Sequence, residues 1–328
     1  MADKLAAAKK AGFANVELFD NDWYAFRDAY AKEHSLPAST DGDDTSLKAA
    51  RALTELAHEH GLEFSCFQPV RDFEGFVSAE DRAAAHAYAE GVLALLPTFG
   101  IDLVLCCSTT VPAPKTTGDL ATVVADLAWL ADRAAAVNPP VRVMYEALSF
   151  AAHRSQWQDV WEVIAAADRP NLGICLDSFN FLAREWADPY QEDGKLSSKV
   201  DDHIDASLAE LVATVPGDKI YLYQVADGRR MVPAMTPPED PSIPRIRPWS
   251  RGHRLFPCEY DQGAYLPVDK FSDAVVKTGY KGTWSLEVFN DSLSDPSPEV
   301  PIEHAQRGYV GLVKAMKESY ERCTVARA

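Results

Sequence analysis

Short apolar runs alternate with Ala-rich amphipathic stretches along most of this 328-residue chain. The runs NVELF (15–19), EFSCFQ (63–68), IDLVLCC (101–107), VRVMYE (141–146), LGICL (172–176), KIYLYQ (219–224) and GTWSLE (282–287) read as buried strands. Between them the spacing predicts helices over 2–11, 45–60, 79–97, 118–136, 155–167, 203–214 and 302–318. In 155–167, Ser155 stands where a cap is wanted, and Trp157, Val160, Trp161 and Ile164 recur on one face. Strand and helix in strict alternation predict an α/β fold with a parallel sheet. No Gly/Ser linker or low-complexity block divides the chain, so a single domain over 1–328 is expected. The exception to the rhythm is 226–262, a Pro-rich stretch carrying Trp249, Arg251, Arg254 and Phe256, and a loop of that length is expected to be an active-site lid.

Composition narrows the ligands. With 47% hydrophobic residues the chain can bury a core without a metal or disulfide staple. Its formal charge of -17 argues against nucleic acid and against an anionic membrane surface, both of which reward basic proteins. A small molecule is the expected partner, and an anionic one would need local arginines against that field. The six cysteines (Cys66, Cys106, Cys107, Cys175, Cys258, Cys323) lack metal-ligand spacing and read as free thiols in a reducing compartment. No signal peptide or membrane-length apolar run is found, so the cytoplasm is the expected location.

The strand ends carry the chemistry. VRVMY finishes at Glu146, GICL at Asp177, KIYLY at Gln224 and TWSL at Glu287. In a (β/α)8 TIM barrel these edges open onto one face, where active sites of that fold are built. Three carboxylates and an amide converging there would repel unless a cation joined them. All-oxygen ligation suits a hard or borderline divalent ion, Mg2+ or Mn2+, with Co2+ compatible. The competing reading is that each acid caps a helix or forms an ion pair.

The segments VMYEALSF, NLGICLDSFNFLA, YLYQVADG, PWSRGHRLFP, DQGAYLPV and GTWSLEVFND, preceded by GFANVELF and FQPVRDFEGF, carry a resemblance running from about residue 2 to 318. Together they resemble the 3-dehydroshikimate dehydratases of the xylose isomerase-like barrel superfamily, the fungal catabolic type and its bacterial relatives. The resemblance implies metal-dependent dehydration of 3-dehydroshikimate to protocatechuate, a step of quinate and shikimate catabolism. It places the metal ligands on Glu146, Asp177, Gln224 and Glu287, in agreement with the strand-end reading. It places substrate contacts on Arg71, Arg251 and Arg254, beside Ser250. Guanidinium forks are what a small anionic cyclic polyhydroxy acid requires.

Proton abstraction α to a ketone also needs a base within hydrogen-bond reach. Bacterial relatives carry His where this chain has Asn180, and fungal-type members carry Asn, so the resemblance does not transfer the base from that position, and Asn180 stays a catalytic candidate. His153 and His253 are the nearest alternatives, each equally readable as a loop histidine. His58, His60 and His86 read as surface residues. Glu17 is expected at the barrel mouth, orienting substrate or bracing Arg71, or else in a structural ion pair. Phe179, Phe256 and Phe289 are expected to wall the ring, and Asn290 and Asp291 to support Glu287. Trp157 and Trp161 read as helix packing.

One departure from the family pattern stands out. Members begin with a strand before the helix that matches residues 2–11, whereas this sequence begins at the helix. A late start site, an open seven-stranded barrel and replacement by another segment or subunit compete, and a shortened form of a complete barrel is the expectation. Such a sheet would leave edges at 15–19 and 282–287, which also leaves room for a homo-oligomer. Two other functions fit the fold: a sugar isomerase or epimerase of the same superfamily, and a catalytically silent metal- or metabolite-binding barrel.

Overall fold

In a computed structural model the chain is described over residues 1–325. By contact density it divides into two compact units: 1–146 with 152–154 and 162–173, and 147–151 with 155–161 and 174–328.

The first unit opens with α1 (Ala2–Ala11), β1 (Asn15–Phe19), α2 (Asp20–Glu33), α3 (Asp44–Glu59), β2 (Glu63–Val70), α4 (Ala79–Phe99), β3 (Leu103–Cys107), α5 (Leu120–Ala135) and β4 (Arg142–Glu146). β1 pairs with β2, β2 with β3 and β3 with β4, all parallel. Side-chain acceptors start three of the helices: Asp43 takes the Ser46 N–H, Ser78 the Asp81 N–H and Asp119 the Thr122 N–H. Each satisfies a backbone donor that the first turn leaves orphaned. Gly12 and Gly100 end α1 and α4 in left-handed conformation. Trp23, Leu53, Phe67, Val104 and Leu127 are fully enclosed, and Trp23 meets Phe99 edge-on at 5.1 Å.

α6 (Trp157–Ala167) and β5 (Leu172–Asp177) follow, each contributing residues to both units. Ser155 was expected to cap α6, but its Oγ accepts from Arg184 Nε, while Asp159 accepts the Ser155 and Gln156 N–H groups.

The second unit continues with α7 (Ser178–Glu185), α8 (Val200–Thr214), β6 (Ile220–Gln224), β7 (Asp227–Gly228), α9 (Arg247–Gly252), β8 (Arg254–Leu255), α10 (Val268–Lys277), β9 (Trp284–Ser285) and α11 (Val300–Val325). β5 pairs with β6 and β6 with β9 in parallel, whereas β7 and β8 form a small antiparallel pair. The larger sheet has seven strands in the order β1-β2-β3-β4-β5-β6-β9. Phe179, Leu182, Leu211, Tyr223, Trp249 and Phe271 are fully buried. Trp157 is buried too, donating its indole N–H to Ser207 Oγ, while Trp161 is half-buried.

The stretch expected to be a lid is mixed. Residues 229–248 contain no buried position, yet Trp249, Ser250, Arg254, Leu255 and Phe256 are core residues of the second unit. Gly228 explains one tight point: a Cβ there would lie 2.4 Å from the Trp249 ring. All six cysteines are free, five of them buried and Cys258 half-buried. Among the described residues no helix is long and apolar enough to cross a membrane.

Candidate functional site

Asp177 is the last residue of β5, and its register partner on β6 is Gln224. Neighbours in register project to the same face of a sheet, so the acid and the amide stand side by side at the strand ends. Both are buried. Asp177 Oδ1 accepts the Asn180 N–H at 2.6 Å, which caps α7. Its Oδ2 accepts from Arg254 Nη1 at 2.8 Å. The competing reading of this acid as a cap and an ion-pair partner is thus realised. It does not displace the other one. Glu287, also of the second unit, shares Arg254 Nη1 with Asp177, so two of the expected ligand carboxylates stand together as oxygen donors. Gln224 Oε1 accepts a weak thiol hydrogen bond from Cys175 at 3.6 Å.

Arg254 is the centre of this arrangement in the second unit. Only 1% of it is exposed. Nη1 reaches Glu287 Oε2 at 3.1 Å and the Glu287 carbonyl at 3.0 Å, in addition to Asp177. Nε donates to the Ser250 carbonyl and Nη2 to Ser250 Oγ. The guanidinium lies over Phe179 at 4.5 Å and Phe289 at 5.2 Å, and Asn290 Nδ2 holds the Arg254 carbonyl at 2.9 Å. Ser250, read from sequence as a substrate contact, is fully buried under this side chain. Asn290, expected to brace Glu287 directly, braces the arginine instead.

Arg251 is half-buried, with its guanidinium over Phe289 at 4.4 Å and Phe150 at 5.7 Å. Phe179 and Phe289, expected to wall the substrate ring, pack against these guanidiniums. Phe256 does not: it is packed against His304 and Arg307 of α11, and belongs to helix packing.

In the first unit, Arg71 follows β2 and is gripped by Asp20, Nη2 to Oδ1 at 2.6 Å and Nε to Oδ2. The expectation that Glu17 braces Arg71 is corrected by this pair, since Glu17 instead accepts from Gln68 Nε2 and Cys66 Sγ. Asp20 is the strand-end acid that sequence reading missed, although it follows the apolar end of β1 directly. The side chain of Arg71 remains 33% exposed.

The proposed proton acceptors separate clearly. Asn180 is 1% exposed, and its Oδ1 accepts from both the N–H and Oγ of Ser149, a structural use of the amide. His153 shares a hydrogen bond with Thr116 Oγ1 at 2.9 Å in the first unit. His253 precedes Arg254 in the chain, and Asp291 and Arg229 act on its imidazole in opposite directions. His253 ends α9 with a non-extended backbone, and its imidazole makes no hydrogen bond or ion pair with Asp177 or Glu287 among the described residues. Burial lowers both imidazoles from their ordinary range. His86, read as a surface residue, is stacked on Trp129 at 3.7 Å and on Phe73.

Sequence reading also missed two buried acids. Glu74 accepts the Thr109 N–H and the Tyr145 hydroxyl through one oxygen, and burial pushes its carboxyl up to about 7. Asp227 gathers the N–H groups of Gly228, Tyr265 and Leu266 on one oxygen, and burial likewise pushes it up to about 7. Neither sits at the end of a long strand, so the strand-end signal did not reach them.

The chain belongs to the xylose isomerase-like TIM barrel family, whose sequence model matches residues 5–310. It is 33% identical over 322 residues to a 3-dehydroshikimate dehydratase of Neurospora crassa, a match covering 96% of this chain and 88% of that protein. Among solved structures it is similar to a xylose isomerase-like TIM barrel/4-hydroxyphenylpyruvate dioxygenase fusion protein, at 28% identity and a TM-score of 0.73; the match covers all of this chain and 42% of that one. The IolI protein, solved with a binding zinc atom, shares the fold at 17% identity and a TM-score of 0.69, over 96% of this chain and 92% of that one.

Proposed function

We propose that this protein is a lyase that removes water from 3-dehydroshikimate to form protocatechuate (3,4-dihydroxybenzoate), using a divalent cation held by Glu146, Asp177, Gln224 and Glu287. The observation that carries the reading is the near full-length similarity to the Neurospora crassa dehydratase. Within the second unit, Asp177 and Glu287 share one arginine nitrogen and Gln224 stands in register beside Asp177, which supports the cation. The all-oxygen donor set favours Mg2+ or Mn2+, with Co2+ compatible.

A divalent cation at these residues supplies a Lewis acid against the negative charge that develops when the proton α to the ketone leaves. The side chains do the rest. Asp177 and Glu287 are pinned by Arg254, so their oxygens need little reorganisation. The half-buried Phe289 is the aromatic wall offered to a cyclohexene ring. Arg251, beside Phe289, is the partner for the substrate carboxylate, and the exposed part of Arg71 is a further substrate contact expected from the sequence. Loss of the β-hydroxyl as water then leaves a diene that enolises to the aromatic diol, so atoms balance with no oxidant. Quinate and shikimate catabolism is the setting in which that substrate arises.

The test is product identification: metal-loaded protein is incubated with 3-dehydroshikimate and, in parallel, with a panel of ketoses, and products are separated by chromatography. Protocatechuate from the first and no epimer from the second supports the dehydratase. Ketose turnover without protocatechuate overturns it in favour of an isomerase or epimerase.

A further inference from the structure

Asp227, on β7, is 1% exposed and carries one oxygen that the fold does not use. Oδ1 accepts the N–H groups of Gly228, Tyr265 and Leu266, while Oδ2 takes no hydrogen bond among the described residues. The side chain lines a small pocket of about 20 Å3 walled by α10 and α11 of the second unit. The donors around that pocket are already committed. Arg322 holds Asp273 through Nε and Nη2 and donates to Ser319 Oγ, and Ser272 shares a hydrogen bond with the Tyr223 hydroxyl. Asp269 and Glu318 add two more carboxylates to the lining, Glu318 meeting Arg322 only at 3.9 Å. A buried carboxylate oxygen without a donor is costly, so what enters here must bring N–H or O–H groups.

We infer that this pocket is a binding site for the head group of a small primary amine. An alkylammonium offers three N–H donors and one positive charge in a volume close to that of a water molecule. Asp227 Oδ2 is its buried acceptor, and Asp269 and Glu318 are its charge partners. Pro257 and Cys258 also line a neighbouring groove of about 480 Å3, whose walls include Gly311 and the 67%-exposed Val310. A Cβ on Gly311 would lie 2.2 Å from the Pro257 carbonyl, so close packing of α11 sets the shape of that groove. The alkyl body of the amine lies there. None of these residues is among the proposed cation ligands, so the site is independent of the dehydration reading.

The experiment is saturation-transfer NMR on the full-length protein at about pH 8, where the Asp227 carboxyl, pushed up to about 7 by burial, is ionised. The probes share one alkyl chain: butylamine, neutral butanol, and butyltrimethylammonium, which keeps the charge but has no N–H. Butylamine is expected to bind saturably, and the other two at least about ten-fold more weakly. A general attraction of cations to a protein of charge -17 would treat butylamine and butyltrimethylammonium alike. Asp227→Asn keeps an acceptor for the Gly228, Tyr265 and Leu266 N–H groups and is expected to weaken butylamine binding at least about ten-fold. If that variant fails to fold, Asp269→Asn combined with Glu318→Gln, both nearer the surface, is expected to weaken it at least about three-fold.

Butanol or the quaternary ion binding as tightly as butylamine, or butylamine affinity unchanged in the variants, overturns the amine site. Absence of saturable butylamine binding overturns it too, and leaves the pocket to a single water.

Discussion

Asp177 and Arg254, 77 positions apart in the chain, meet at 2.8 Å with both side chains essentially inaccessible to solvent. Such a pair costs desolvation to form, and removing one partner leaves an uncompensated buried charge. Asp177→Ala removes the α7 cap, the arginine partner and a proposed ligand together. It is expected to lower unfolding free energy by about 3–5 kcal/mol. Asp177→Asn keeps an acceptor for the Asn180 N–H, and so loses less stability while still losing more than about a hundred-fold in turnover. Urea denaturation beside an activity assay separates the two. Equal stability loss in both variants would show that the cap and the uncharged hydrogen bond contribute nothing.

Glu74 makes stability depend on pH. Its ordinary carboxyl value of 4.5 rises to about 7 through burial, outweighing the hydrogen bonds from Thr109 and Tyr145. The folded protein therefore keeps a proton that the unfolded chain has released, and stability falls as pH rises between those values. The contribution is complete below 4.5 and gone above about 7. Glu74→Gln keeps the shape and abolishes the titration. Denaturation curves from about pH 5 to about pH 7.5 should show the variant gaining on the parent as pH increases. A constant difference over that range would contradict the assignment.

Gly228→Ala tests the close packing behind the site. The new methyl would lie 2.4 Å from Trp249 and 3.1 Å from Phe179, the ring against which Arg254 rests. Overpacking of this kind typically costs about 1–3 kcal/mol. A shift in Trp fluorescence and a fall in turnover are expected to accompany it. Unchanged stability would mean that the β7–β8 pair yields easily.

His253→Asn is expected to retain at least about a third of parental turnover, because among the described residues that imidazole makes no hydrogen bond or ion pair with Asp177 or Glu287. Loss of more than about a hundred-fold, with metal affinity intact, would make His253 the general base and require a different orientation.

Much of this architecture is legible in the sequence, for identifiable reasons. The helix at 2–11 and the strand ending at Glu146 follow from periodicity and from an abrupt change of polarity. α7 was not predicted: it is only eight residues long, too short to show a helical period, although the Asp177 side chain caps it. α10 had a visible pattern in Val268, Phe271 and Val275, obscured by the Pro-rich stretch before it. The strand-end acids were found because an acid after an apolar run is a local signal. The bridging role of Arg254, the grip of Asp20 on Arg71 and the enclosure of Ser250 depend on contacts 77, 51 and 4 residues apart, whose partners no local pattern selects.

The central claim is that the acids ending these strands support a cation-dependent dehydration. The most direct measurement is the rate of protocatechuate formation from 3-dehydroshikimate as Mn2+ is added back to chelator-treated protein, beside Glu287→Gln. The account predicts negligible rate without metal, saturable recovery at about one ion per chain, and loss of more than about a hundred-fold in the variant. Full turnover in the chelated protein, or a variant as active as the parent, would contradict it.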